Sequence, residues 1–151
     1  MPEIKIEEFV EALSLAAEKH KYQRRAGYDA LPYLNHLIKV AQSLIQETDE
    51  KDRDTLLAAL LHDILEDSDL TQEELRNLFG DKVASIVAEL TDDMSLEYEK
   101  RKELQVKGAK SLSLPAKKIR ITDKSSNLRD IFLVIPSIGL RSENKPIWKM
   151  Q

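Results

Sequence analysis

An all-α fold is what the sequence predicts, on three observations. Glycine and proline are scarce, 4 and 5 in 151 residues, too few for the tight turns of a sandwich or barrel. Apolar side chains recur at three- and four-residue spacing over much of the chain, which is the period of a helix face. Almost nothing reads as strand. Hydrophobic residues at 42% and charged residues at 33% describe a globular domain with one core rather than a disordered chain.

The first helix spans about Ile4 to Tyr22 and sets Phe9, Leu13, Ala16, Ala17 and His20 on one face. "QRRAGYDAL" then breaks the pattern as a basic loop. Pro32 suits the first turn of a second helix, where its missing N–H costs nothing; Leu34, Ile38, Ala41, Leu44 and Ile45 line that helix until "QETDEKD". The third, about Asp54 to Glu66, is apolar almost all round and is expected at the centre. Thr71 and Glu74 form a capping box for a short helix that Gly80 stops after Phe79. Asp81 is expected to cap a fifth helix, with Val83, Ile86, Val87 and Leu90 inward. A polar sixth helix covers about Ser95 to Lys110. A seventh starts near Pro115 and carries "KKIRITDKSSNLRDI". Residues 1–131 thus read as one domain of about seven helices, and residues 132–151, split by Pro136 and Gly139, as a divergent, irregular tail.

Charge narrows the function. The net charge is −4, with basic residues interspersed among acidic ones, so nucleic acid is not the expected partner; a small phosphorylated ligand fits a few local cations. Without cysteine there are no disulfides and no thiolate metal sites. The start "MPEIKIEEF" lacks the pattern of a signal peptide, and the apolar runs fall well short of the roughly 20 residues that span a bilayer. A cytoplasmic location is the expectation.

The stretch "LLAALLHDILED" at residues 56–67 poses the chemical question. Burying a histidine and three carboxylates in an apolar helix costs several kcal/mol per ion unless something compensates, on the order given for unpaired buried charges. On a continuous helix Asp63, Glu66 and Asp67 share a face, with His62 one turn from Glu66. A divalent cation turns that repulsion into coordination. A His-Asp pair alone more often marks a core histidine bonded to an acid; distant partners tip the balance. His36 in "PYLNH" and Asp123 in "IRITDKSSNLRD" complete a set of two imidazoles and two carboxylates. Such a site suits Mn²⁺, Fe²⁺, Co²⁺ or Zn²⁺, and the lack of thiolates with open positions for oxygen favours Mn²⁺. His20 reads as a packed histidine, Arg129 and Asp130 as structural pairs, and "EYEKRKE" as a solvated helical face.

The pattern H…HD…D resembles the HD phosphohydrolase superfamily. "KHKYQRRAGYDALPYLNH", "AALLHDILEDSDLTQEELRNLFGDKV", "TDDMSLEYEKRKELQ" and "ITDKSSNLRD", in that order, are similar to the RelA/SpoT-type alarmone hydrolases, above all the small stand-alone form. The likeness covers about Phe9 to Ile131. It implies an HD-domain helical bundle that hydrolyses the 3′-pyrophosphate of ppGpp and pppGpp with Mn²⁺. The matching metal positions are His36, His62, Asp63 and Asp123. Glu66 and Asp67 match the acidic pair that orients and deprotonates water, and Asn127 a catalytic asparagine. Arg24 and Arg25 match the nucleotide-contacting loop, and Lys124, beside Asp123, is a further candidate cation for the substrate.

The departures motivate other readings. Met94 and Ala26 stand where relatives commonly carry lysine or another polar residue, which points to NADPH or an adenine alarmone as a second substrate class. Leu37 replaces a proline and should matter little. The family's closing C-terminal helix has no counterpart in "SIGLRSENKPIWKMQ", which leaves room for a catalytically weak nucleotide-binding module, or for completion by a homo-oligomer.

Overall fold

The computed structural model describes residues 2–26 and 30–138, with side chains through Phe132. Its helices are α1 (Ile6–Lys19), α2 (Leu34–Thr48), α3 (Arg53–Leu61), α4 (Ile64–Asp67), α5 (Gln72–Phe79), α6 (Asp81–Leu90), α7 (Tyr98–Gly108) and α8 (Leu114–Ile138), with a 3-10 turn at Ala109–Ser111 before the last. Among the described residues the only β pairing is two isolated bridges, Glu3 with Asp52 and Arg24 with Pro32. The all-helical expectation holds.

The apolar run of α3 occupies the centre. Every residue from Asp54 to Leu61 is buried, and α1, α2, α6 and α8 pack around it. Leu57, Leu60 and Leu61 are fully enclosed, each contributing about 1.5–3 kcal/mol by burial. Asp52 caps the helix, its Oδ2 accepting from the Thr55 backbone N–H at 3.0 Å and the Thr55 hydroxyl at 2.7 Å. Arg53 ties this end to its neighbours, donating to Glu8 Oε1 of α1 at 2.9 Å and to the Phe79 carbonyl of α5 at 3.3 Å.

The expected third helix is interrupted. His62 and Asp63 form a turn between α3 and α4, Asp63 sitting at φ −101° and ψ 0°. The two elements derive from one apolar segment, which is why the described residues hold eight α-helices where about seven were expected. The Thr71–Glu74 capping box forms, its carboxylate accepting from the Thr71 N–H at 2.8 Å. Asp81 does not cap α6: Gly80, at φ 96° and ψ 168°, is the residue before the helix and also closes α5. That backbone region is essentially restricted to glycine. Finally, α8 runs on to Ile138, through Pro136, past the point where an irregular tail was expected. The remainder of that expected tail lies outside the described residues. No helix among the described residues is long and apolar enough to cross a membrane.

Candidate functional site

Three helical segments deliver the polar groups to one place. His36 enters from the first turn of α2, one turn after Tyr33, and is 2% exposed. His62 follows the last residue of α3 and is 4% exposed. Asp123 comes from α8, which crosses both. One ligand atom from each of these three lies within 4.8 Å of the others: His36 Nε2 is 2.9 Å, and His62 Nε2 3.7 Å, from Asp123 Oδ1. Asp63 adjoins them, its Oδ2 3.1 Å from His62 Nε2 and accepting from the Tyr33 hydroxyl at 2.5 Å.

The histidine tautomers follow from their other bonds. His62 Nδ1 donates to the Ala59 carbonyl at 2.7 Å, so a neutral ring turns its Nε2 lone pair into the cluster. Among the described residues that buried Nε2 has no hydrogen-bond partner. An orphaned imidazole nitrogen facing two carboxylates is what a divalent cation requires, so the donor set fits the ion. The Ser126 hydroxyl lies 3.4 Å from His36 Nδ1, on the far side of that ring from Asp123.

Electrostatics favours one positive charge among these acids, a proton on His62 or a cation in its place. Burial would lower the His62 pKa, but Asp63 and Asp123 outweigh it and hold it well above the ordinary value. Burial likewise opposes ionisation of Asp123, yet His36, His62 and Lys124 drive its pKa far below the carboxylate range. Asp63, largely shielded too, is brought down to about 2 by His62 and Tyr33 against the cost of desolvation. Burial pushes the Tyr33 phenol up, with Asp63 adding to it; the group stays a donor. His36 is lowered, chiefly by burial. The cluster is built around one positive charge.

Glu66 and Asp67 flank it, one turn on from Asp63, whose carbonyl accepts both their N–H groups at 3.2 and 3.1 Å. Glu66 Oε1 accepts from the Asp92 N–H at 2.5 Å. Burial, with the charges of Asp63, Asp92 and Asp67, pushes its carboxyl up to about 7. Burial also raises Asp67, which accepts from Gln23 Nε2 at 3.1 Å. An open cleft of roughly 590 Å³, lined by residues that include Tyr22, Gln23 and Asp67, lies alongside.

The two arginines part company. Arg25 reaches α8, donating to Asn127 Oδ1 and Asp130 Oδ2 at 2.8 Å each, with its guanidinium 5.7 Å from the Tyr33 ring centre. Asn127 Nδ2 in turn donates to Asp123 Oδ1 at 3.2 Å. Arg24 is exposed and, among the described residues, its side chain bonds only to the carbonyls of Lys21 and Gln23. Lys124 Nζ lies 3.6 Å from Asp123 Oδ2. Met94 is half exposed, its sulfur 3.1 Å from Arg101 Nη1. Arg129 forms the expected surface pair with Glu47 at 3.1 Å, whereas Asp130 belongs to the Arg25 network.

Four supporting residues escape a reading of the sequence alone: Tyr33, Gln23, Ser126 and Asp92. Tyr33 precedes His36 by one helical turn and Ser126 follows Asp123 by the same interval, so helical spacing was the available signal for those two. Gln23 and the Asp92 N–H reach the acids across 44 and 26 residues, and no local pattern announces them.

Comparison with known proteins places this arrangement. Residues 12–131 match the HD domain family. The guanosine-3′,5′-bis(diphosphate) 3′-pyrophosphohydrolase of Drosophila melanogaster is 45% identical over 129 residues, covering 85% of this chain and 72% of the relative. The human protein of the same description is 44% identical over 124 residues, 82% and 69% of the two chains. The Escherichia coli bifunctional (p)ppGpp synthase/hydrolase SpoT is 29% identical, with 87% of this chain on 19% of its length. A solved structure described as a metazoan ortholog of SpoT that hydrolyzes ppGpp superposes with a TM-score of 0.83 at 43% identity, covering 87% of this chain and 74% of its own. The chain therefore belongs to the HD-domain family, in the branch that holds the guanosine-bis(diphosphate) 3′-pyrophosphohydrolases.

Proposed function

We propose that this protein hydrolyses the 3′-pyrophosphate of the guanosine alarmones ppGpp and pppGpp, yielding GDP or GTP and pyrophosphate, with Mn²⁺ as its ion. The observation that carries the reading is the convergence of His36, His62 and Asp123 on an orphaned Nε2, with Glu66 and Asp67 beside it. Kinship with the 3′-pyrophosphohydrolases supports the substrate.

His36, His62, Asp63 and Asp123 would hold the ion. When bound it supplies positive charge to phosphoryl oxygens and acidifies water. Tyr33 fixes the Asp63 carboxylate, and the Ala59 carbonyl fixes the His62 ring. Glu66 is the general base: the Asp92 N–H holds Oε1, leaving Oε2 to take a proton, and its raised pKa matches proton transfer near neutrality. Water adds to the phosphorus bonded to the ribose 3′ oxygen, that P–O bond breaks, and the proton taken up by Glu66 leaves on the 3′ hydroxyl. Asp67 orients the water. Asn127 links Asp123 to Arg25, so a substrate phosphate drawing on Arg25 also touches the metal ligand's support. Lys124 and Arg24 supply further cations to the nucleotide.

Incubating the Mn²⁺-loaded protein with ppGpp should release GDP and pyrophosphate. Turnover no greater than that of an Asp63→Ala control would defeat the proposal. A second reading has one observation in its favour: the exposed thioether of Met94 offers no charge to a pyrophosphate, so NADPH or an adenine alarmone becomes a competing substrate. Comparing kcat/KM across these nucleotides separates the two readings, and a clear preference for ppGpp rejects the second.

A further inference from the structure

Asp67 depends on a relay that reaches it from the first helix and the loop after it. Among the described residues the hydrogen bond to its carboxylate comes from Gln23 Nε2, 3.1 Å from Oδ2. The same Gln23 side chain is gripped from behind, with Oε1 2.7 Å from His20 Nδ1. His20 is 2% exposed, its ring centre 5.2 Å from that of Tyr33, so it has little freedom to turn. The Gln23 backbone is fixed too, its N–H donating to the His20 carbonyl at 2.9 Å and its carbonyl accepting from the Tyr33 N–H at 3.0 Å.

Donor and acceptor logic then allows one arrangement. An ionised carboxylate only accepts, so the face that Gln23 presents to Asp67 must be its NH₂ group. Its oxygen therefore faces His20, and His20 Nδ1 must carry a proton to donate to it. The opposite tautomer would rotate the amide and set its oxygen against the Asp67 carboxylate. His20 Nε2 is buried and has no partner among the described residues, which suits the unprotonated nitrogen of that Nδ1–H tautomer: a lone pair is cheaper to leave unmatched there than an N–H. Packing alone would not need this alignment of three polar groups.

We propose that Gln23 is a positioning residue for Asp67, and that His20 sets the sense of the Gln23 amide. This rests on the role proposed for Asp67. Glu66 is held by a backbone N–H, whereas its neighbour is aimed by a side chain. The two acids of the site therefore answer to different parts of the chain, and Asp67 alone can be detuned without touching a candidate metal ligand.

The test combines kinetics with a spectrum that needs no turnover. Gln23→Leu should lower kcat for ppGpp by about tenfold to hundredfold, the range for loss of a supporting hydrogen bond, with KM within about twofold. In an Asp67→Asn background the same change should have little further effect. His20→Ala should reproduce the loss and His20→Asn, whose amide can still donate, should restore most of it. In the NMR spectrum of the metal-free protein, the Gln23 side-chain amide should be shifted and protected from exchange in the wild type and in His20→Asn, and not in Asp67→Ala or His20→Ala. Unchanged kcat in Gln23→Leu, or additive losses with Asp67→Asn, would overturn the inference. A wild type that cannot turn over ppGpp would remove the proposed function; the amide spectrum would then decide the inference, a protected amide supporting it and a freely exchanging one refuting it.

Discussion

Glu66 couples function to stability through one proton. Its carboxyl is raised from the ordinary 4.5 to about 7 by burial first and by neighbouring acids second. The folded protein thus holds this proton more tightly than the unfolded chain does. The resulting stabilisation is complete below about 4.5 and is lost as pH rises through about 7. Above that range the ionised side chain is a liability, and Glu66→Gln should make the metal-free protein more stable at pH 8, by about 1–2 kcal/mol after solvent screening. The gain should vanish below pH 4.5, as urea unfolding at both pH values will show. The same variant should lose at least about a hundredfold in kcat, the scale of general-base catalysis. His62→Ala should leave a binding deficit for Mn²⁺, measurable by calorimetry, because the Asp63 and Asp123 carboxylates lose the imidazole between them.

At the scale of elements, the helix ends show where local chemistry suffices. Thr71 and Glu74 announce their capping box three residues apart, and it forms. Gly80 was legible as a stop signal but not as the residue that also launches α6, since two turnings at one position leave the same single letter. Its φ of 96° makes the prediction simple: a Cβ there meets nothing within 4 Å, so Gly80→Ala should cost about 1–3 kcal/mol through backbone strain alone, read as a lower urea midpoint with an unchanged slope. The break at His62–Asp63 was not legible. An all-round apolar run has no face whose period could slip, and what rewards leaving the helix there lies on α2 and α8. The spacing of His62, Asp63, Glu66 and Asp67 was legible, while the bonds from Tyr33 to Asp63, from Gln23 to Asp67 and from Arg25 to Asp130 span 30, 44 and 105 residues and were not. Pro136 misled in the other direction, for α8 passes through it. A second element contact, Lys118 Nζ to Glu50 Oε2 at 2.6 Å, ties α8 to the corner between α2 and α3. Glu50 is 4% exposed and keeps bonds from the Lys51 and Asp52 N–H groups. Lys118→Met should therefore destabilise by about 1–3 kcal/mol, without altering ppGpp affinity.

For the molecule as a whole, the candidate site ties three chain segments together, so occupancy and folding are linked. A cation that binds only the folded form at a hundred times its Kd adds about 2.7 kcal/mol, which for a chain of this size raises Tm by roughly 5–10 °C. Calorimetry with and without Mn²⁺ should show that rise, chelation should reverse it, and Asp123→Ala should abolish it. Two of the candidate donors, His62 and Asp63, follow the last residue of α3, the helix around which α1, α2, α6 and α8 pack. Ligation there would therefore cinch the molecule at its axis rather than at its rim. Backbone amides of residues 55–61, all buried, should become slower to trade hydrogen for deuterium on loading, while those of the polar α7 barely change.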